Sequence, residues 1–405
     1  MRVLVGVLAL TLVGACADVD DERAGDAAVW VSRDGVDWAR VDAPSLGGPG
    51  EQQLTAVGVV DGVLMAIGFT SVDGDRDGAV WTSGDGLDWR LHRDADLGGP
   101  GDQLPTAFAQ TTHGLMAVGF EEFTEYDHDA AVWISSDGLD WERAPVSPSF
   151  GGRGIQLATA VAELDGLIVV AGGDDGNAAI WVSPDAVSWE RVTGPFGLGG
   201  PGDQIIESIT HGGPGLVAVG WDDFDAGVWT SSDGRVWSQV SNPFVFGGEG
   251  WQVIHGITFG PHGLVAVGEI GQERGIPFLG GEIERNWDAA VWLSPDGAVW
   301  SPVLDAALEG VGAQSMIGIS SSGEGLVAAG IDTAGGRFTA GVWVPDGEEG
   351  EPDAAVWLSD DDGLSWTKVR HPSFGGEAWQ DMLDVVAFGD LLVGVGGDDR
   401  EADPR

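Results

Sequence analysis

The chain has 405 residues, with 18 Lys+Arg against 65 Asp+Glu for a formal net charge of −47, and it carries 68 Gly, 19 Trp and one Cys. With Lys368 as the only lysine there is no basic face to neutralise phosphates, which excludes nucleic acid and anionic lipid surfaces as binding partners. A single cysteine excludes an internal disulfide or a Cys-based zinc site, while 43% hydrophobic residues and the tryptophan content exclude a disordered acidic tail and require a large core.

Taken in chain order, Met1-Arg2 is a short basic start before an apolar run over 3–13. That run has the length of a secretory h-region and is too short to span a bilayer as a helix, so 1–15 reads as a signal peptide. It ends in Leu12-Val13-Gly14-Ala15-Cys16, which resembles the processing box of bacterial lipoproteins. The resemblance implies that Cys16 is lipidated and opens the mature protein. The rest would then lie on the bacterial cell envelope, on the outer side of the cytoplasmic membrane or on the outer membrane. Residues 16–26, rich in Asp, Glu, Ala and Gly, read as a solvated acidic tether.

From residue 27 one unit repeats seven times. Its most regular part is an apolar stretch ending in Trp, a tight turn and a second Trp: AVWVSRDGVDW (28–38), AVWTSGDGLDW (79–89), AVWISSDGLDW (131–141), AIWVSPDAVSW (179–189), GVWTSSDGRVW (227–237), AVWLSPDGAVW (290–300) and AVWLSDDDGLSW (355–366). A second part is a Gly-rich turn, a Gln, an apolar stretch, a turn and a stretch close to GLVAVG. Its glutamines are Gln52, Gln103, Gln156, Gln204, Gln252, Gln314 and Gln380. The period is 48–52 residues, stretched to 63 and 65 by insertions at 269–288 and 331–353. Each period predicts four short strands: A after the Gln, B at GLVAVG, C at the first Trp and D after the second. Their apolar, β-branched and aromatic content, punctuated by Gly and Asp, argues for an all-β chain.

Four-stranded units at this spacing are propeller blades, which close into a ring because radial repetition leaves only short edges. The chain begins with C–D (27–41) and ends with A–B (380–397), so the seventh blade should be assembled from both termini. The expectation is a seven-bladed β-propeller over 27–397 with a C-terminal tail at 398–405.

The C–D turn resembles a known family. Ser359-Asp360-Asp361-Asp362-Gly363-Leu364-Ser365-Trp366 matches S-x-D-x-G-x-x-W, the Asp-box of sialidases, xyloglucan-degrading glycosidases, sortilin-type receptors and photosystem assembly factors. The other six copies are one residue shorter, and Ala186 replaces the Gly in one of them. Ser and Asp side chains bond such a turn's own backbone, Gly supplies φ > 0 and Trp locks the hairpin. Asp34, Asp85, Asp137, Asp185, Asp233, Asp296 and Asp361 therefore read as a folding device, since a catalytic acid is not needed seven times.

Strand alternation puts the C–D and A–B turns on one face, called lower, and the B–C and D–A loops on the other. The upper loops are acidic, and six of seven copies place Asp at the foot of strand C: Asp26, Asp77, Asp129, Asp225, Asp288 and Asp353, with Asn177 in the seventh. These residues cap the strand or ligate something. Asp73, Asp75 and Asp77 before Gly78 form the D-x-D-x-D-G start of a calcium loop, although Trp81 and Gly84 stand where its remaining ligands belong. The seven glutamines should ring the upper mouth of the channel, where they pair with backbone between neighbouring blades or recognise a ligand, the pairing role being favoured. Trp251 and Trp379 precede two of them, Trp221 and Trp287 fall in B–C loops, and tryptophan beside carboxylates and amides suits sugar recognition.

A sialidase needs an arginine cluster, a tyrosine nucleophile with a partner Glu, and an acid. Here the one tyrosine, Tyr126, follows Glu125 in an acidic loop, and Arg274-Gly275-Ile276-Pro277 is a poor echo of that family's Arg-Ile-Pro pattern. Sialidase activity is not expected, and no Ser-His-Asp, Cys-His or H-E-x-x-H arrangement appears. The sequence reads as a monomeric, lipid-anchored, non-catalytic module for recognition of a glycan or a basic protein segment. The alternative is a glycoside hydrolase acting on neutral glycans through upper-face carboxylates.

Overall fold

The computed structural model describes residues 25–399 except 73, 125–126, 146, 194–197, 201, 249, 272–286, 311, 324, 334–335, 340–341, 346–351 and 376–378. Signal peptide, Cys16 and most of the tether lie outside the described residues, as do Asp73, Glu125, Tyr126 and 274–277.

Seven antiparallel four-stranded sheets follow one another in the order A–B–C–D. The A strands are Gln52–Val60, Asp102–Thr111, Gln156–Leu164, Gln204–Gly212, Gln252–Gly260, Gln314–Ser322 and Gln380–Phe388, and they number blades 1 to 7. Blade 7 takes its A and B strands, Gln380–Phe388 and Leu391–Asp398, from the C-terminal end and its C and D strands, Asp26–Ser32 and Trp38–Arg40, from the N-terminal end. Seven residues in register, Asp26 on Asp398 through Ser32 on Leu392, join the two ends. The ladder thus reaches one residue beyond 27–397 on each side. An extra hairpin, Gly336–Thr339 with Val342–Pro345, stands in the blade 6 insertion.

Each blade shares a separate core with its neighbour, so the hydrophobic interior is divided among seven seams rather than gathered at a centre. The seam between blades 7 and 1, for example, joins Val29, Val31, Val393 and Val395 to Leu54, Leu64, Ala66 and Trp81. The first Trp of every repeat, Trp30, Trp81, Trp133, Trp181, Trp229, Trp292 and Trp357, is fully buried. Several of these indoles donate to the preceding blade's D–A loop: Trp81 to Ser45 O (2.8 Å), Trp30 to Ser373 O (2.8 Å) and Trp292 to Val245 O (3.2 Å). D–A loops also wedge Leu46, Leu97, Phe150, Phe246, Leu308 and Phe374 into the seams. Outer strands are as short as two residues, Glu190–Arg191, Ser238–Gln239 and Ser301–Pro302, which denies other chains a long edge to pair with.

Every A strand carries a β-bulge at the same place, three residues after the repeated Gln: Thr55, Thr106, Thr159, Glu207, His255, Ile317 and Leu383 are the extra residues. The bulge presses strand A against strand B. A Cβ on Gly68, Gly119, Gly172, Gly220, Gly268, Gly330 or Gly396 would lie 1.9–2.1 Å from the facing strand-A carbonyl oxygen, which is why strand B keeps its second glycine in all seven copies.

Candidate functional site

On the lower face, all seven C–D turns carry the same kind of hydrogen-bond set. In blade 2, Asp137 Oδ1 accepts from Leu139 N (2.9 Å), Asp140 N (3.0 Å) and Ser135 Oγ (3.2 Å). Ser135 Oγ accepts from Gly138 N (2.8 Å), and Trp141 Nε1 donates to Gly138 O (3.1 Å). Backbone donors hold Asp34, Asp85, Asp137, Asp185, Asp233 and Asp296 below the usual carboxylate range, Asp185 at about 2; for Asp361 the leading donor is the Ser365 hydroxyl. These carboxylates are engaged by the turn itself.

The repeated glutamines are buried, at most 6% exposed, none lines the channel cavity, and they bond backbone of the loop between blades, the favoured of the two roles. Their side chains lie against the Gly-Gly turn of the D–A loop, with Gln204 Oε1 accepting from Gly199 N (2.8 Å). They also meet the strand-B residue paired with them, as in Gln156 Nε2 to Asp174 (3.2 Å) and Gln204 Nε2 to Asp222 (2.7 Å). That acid in turn takes a polar residue from strand D. Glu121 holds Arg143 through two 2.9 Å contacts, Asp174 holds Arg191 (3.2 Å), Asp398 holds Arg40 (3.2 Å), Asp332 holds Lys368, and Asp222 accepts from Gln239 Nε2 (2.6 Å). Arg143, Arg191 and Lys368 also lie over their blade's first Trp. Two blades have lost both partners together: blade 5, with Ile270 opposite Gln252 and Pro302 opposite Trp292, and blade 1, with Thr70 opposite Gln52 and Leu91 opposite Trp81. Sequence reading missed this set, although its signal was present: an acid ends strand B wherever a basic or amide residue follows the second Trp at a fixed distance.

The acids at the foot of strand C serve the same frame. Asp77, Asp129 and Asp288 accept from Gly99 N (3.1 Å), Gly152 N (3.2 Å) and Gly310 N (3.1 Å). Of the calcium-loop positions, Asp77 is therefore turned to the D–A loop, Asp75 sits at the B–C hairpin opposite Val72, and Asp73 lies outside the described residues. Among the described residues no group of three His, Cys, Asp or Glu is set to hold a metal.

Of the four tryptophans read for sugar recognition, Trp221 is buried and Trp251, Trp287 and Trp379 are half-buried. Trp221 belongs to strand B of blade 4, Gly215–Asp222, rather than to a loop; it is 6% exposed and stacks on Trp251 with ring centroids 6.2 Å apart. Trp287 opens strand C of blade 5, paired with Gly271. Trp379 bonds Asp381, and its carbonyl accepts from Asp399 N (3.0 Å). The physical reason is local for Trp251 and Trp379: each precedes a strand A and accepts at its carbonyl from the end of strand B, Gly271 N (2.7 Å) and Asp399 N (3.0 Å), so its side chain is held close to the blade.

What departs from sevenfold repetition lies in the central channel, a cavity of about 250 Å³ walled by the inner strands of all seven blades. Three bulge threonines spend their hydroxyls on the next blade: Thr55 on Pro105 O (2.8 Å), Thr106 on Ala158 O (2.8 Å) and Thr159 on Ile206 O (2.5 Å). At the following seam the bridge is ionic. His255 Nδ1 meets Glu207 Oε2 at 2.6 Å, and Glu269, buried beside it, lies 3.7 Å from His255 Nε2. Burial, the largest single influence, would depress this imidazole, but the charge and hydrogen bond of Glu207 together with Glu269 outweigh it and raise it to about 10. Across the ring Asp384 accepts from Val57 N (2.9 Å) of blade 1, and burial lifts its carboxyl to about 6 against that bond. None of these four had been singled out, because a lone Glu or His in an apolar strand carries no motif.

No family model matches the chain, and no curated protein does. Among solved structures it is similar to Sqt1 of Chaetomium thermophilum (13% identity, 85% of this chain and 93% of that one, TM-score 0.43). It is likewise similar to a Dyadobacter fermentans protein of unknown function (14%, 86% and 95%, TM-score 0.41) and to the GH32 β-fructofuranosidase of Bombyx mori (12%, 85% and 91%, TM-score 0.37). Likeness at this level carries no statement about chemistry. The class the sheets define is a seven-bladed β-propeller whose repeated polar residues are spent on its own frame.

Proposed function

We propose that the chain is a rigid, non-catalytic recognition and scaffold module, its C–D turns Asp-boxes in the folding sense, held at the bacterial cell envelope by a lipid on Cys16 and taking a basic protein segment on its upper face. The observation that carries this reading is the charge balance of that face. Its half-buried strand cations Arg40, Arg76, Arg143, Arg191 and Lys368 are each matched to a carboxylate, and on the loops above them the exposed acids Asp42, Asp96, Asp175, Asp223 and Glu309 outnumber the exposed cations Arg93, Arg153 and Arg370. A surface with a net excess of one sign steers and orients a partner of the other. Engagement of the repeated carboxylates by backbone donors supports a role without turnover, and the packed tryptophans support a protein segment over a sugar.

The test uses the full chain in lipid nanodiscs, titrated with an Arg/Lys-rich peptide and its citrulline/Gln counterpart, alongside hydrolysis assays on neutral oligosaccharides. Salt-sensitive binding of the basic peptide alone, without turnover, is the expected outcome. Turnover of a neutral glycan would establish a glycoside hydrolase instead, and indifference to the peptide's charge would remove the basic partner. Cys16→Ala should release the protein from the membrane fraction; retention would remove the lipid anchor.

A further inference from the structure

We propose that the central channel holds a binding site for one organic cation on an aliphatic stem, the chemistry shared by a lysine or arginine side chain and a free alkyl amine, with Glu207 as its counter-ion. The inference deepens the reading above and rests on it only for the source of the cation.

In a sevenfold repeat, a residue the frame requires recurs. At the seven bulge positions the frame is served by hydroxyls bonded across the seam, Thr55, Thr106 and Thr159, or by plain apolar packing, Ile317 and Leu383. Glu207 and His255 bridge their seam ionically instead, and a carboxylate there costs desolvation that a threonine would avoid. The accompanying acid departs from the repeat in the same way. Glu269 occupies the strand-B place filled elsewhere by Phe69, Phe120 and Trp221.

The pairing that results is incomplete. Glu207 gives one oxygen to His255, while its Oε1 is buried with no hydrogen-bond partner among the described residues. The side chains of Glu207 and His255 are 2% and 3% exposed, and both line the cavity. His255 Nε2, at 3.7 Å from Glu269, is too far for a hydrogen bond. Charge is left over as well: two carboxylates, Glu207 and Glu269, flank one imidazolium, and Asp384 adds a third in the wall across the cavity. A buried carboxylate oxygen without a donor is a standing penalty that a cationic N–H at Oε1 would relieve. These groups do not converge as metal ligands.

The remaining wall selects the stem. It is largely aliphatic and aromatic, with Phe108, Leu157, Ile209, Ile257 and Ile319 in it, and the threonine hydroxyls are already spent. At about 250 Å³ the cavity falls just under the range of about 300–1,000 Å³ that holds drug-sized ligands, so it suits one side chain or one small amine and not an oligosaccharide.

The experiment titrates the full chain with n-butylguanidinium, with n-butanol as the uncharged control, by calorimetry. Saturable one-to-one binding of butylguanidinium alone is expected, weakened about ten-fold or more by Glu207→Gln and unchanged by Glu190→Gln at the exposed rim. Absence of saturable binding, or equal affinity in Glu207→Gln with intact near-ultraviolet dichroism, overturns the site. Should Glu207→Gln fail to fold, the wild type decides: saturation must move the ring ¹⁵N resonances of His255 and leave those of the lower-face His262 unmoved, and the reverse overturns the site. The Arg/Lys-rich peptide separates the sources. Peptide binding indifferent to Glu207→Gln, with no binding of butylguanidinium, overturns the channel site and leaves the upper-face reading standing. Butylguanidinium binding without peptide binding sustains the channel site and overturns the upper-face reading.

Discussion

Gly220 shows how a single residue is chosen by its neighbours. An added Cβ would sit 2.0 Å from Ile205 O, because the bulge at Glu207 brings the two strands together just there. Gly220→Ala must push the backbone apart, at about 3 kcal/mol or more. Gly84→Ala, at a lower-face position with open space around it, should stay within about 0.5 kcal/mol. Chemical denaturation of the pair checks this, and similar midpoints would refute the role given to the bulge. Ala186 marks the complementary case: it takes φ 60° where the other turns have glycine, so one copy of seven tolerates the strain that a buried methyl offsets.

Among elements, strands B and D are tied by the acid and base that flank the first Trp. Arg143 and Glu121 are about one-fifth exposed, bonded at two points and backed by the Trp133 ring. Removing one partner strands the other, so Arg143→Ala is expected to destabilise by about 2 kcal/mol after allowance for partial exposure. Arg143→Leu with Glu121→Leu should recover much of the loss, because blade 5 already closes with Pro302 and Ile270 in these places. A double-mutant cycle by thermal unfolding measures it, and additive losses would show that the pair does not act as a unit. The position of the pair follows from strand register, which a pattern of hydrophobic residues does not reveal.

At the scale of the whole molecule, pH reads three sets of groups. The seven lowered turn carboxylates contribute stability that is present above about 3.8 and is lost as pH falls, toward about 2 for Asp185. Asp384, lifted to about 6, acts oppositely: its burial penalty accumulates as pH rises from 3.8 to about 6 and persists above that. His255 contributes fully below 6.5 and loses its contribution as pH climbs through about 10. With self-repulsion of −47 charges relaxing on acidification, the melting temperature should peak at about pH 4–5. Asp384→Asn should raise stability at pH 8 by on the order of 3 kcal/mol and flatten the change between pH 4 and 6. A melting temperature that peaks above pH 7, or an Asp384→Asn profile parallel to the wild type, would contradict these assignments.

Blade count, strand order and the joining of the two chain ends were legible in the residues alone, because a 48–52-residue period with paired tryptophans and Gly/Asp turns admits few closed arrangements. The C–D turns were legible for the same reason: the hydrogen bonds of their repeated Ser and Asp side chains and second-Trp indoles span at most four residues, so local sequence contains those partners. Trp221 in its strand, the strand-B partners of the glutamines, and Glu207 beside His255 were not legible. Each depends on a bulge or on contact between blades about 48 residues apart, and side-chain direction across such a distance is decided only when the strands pack.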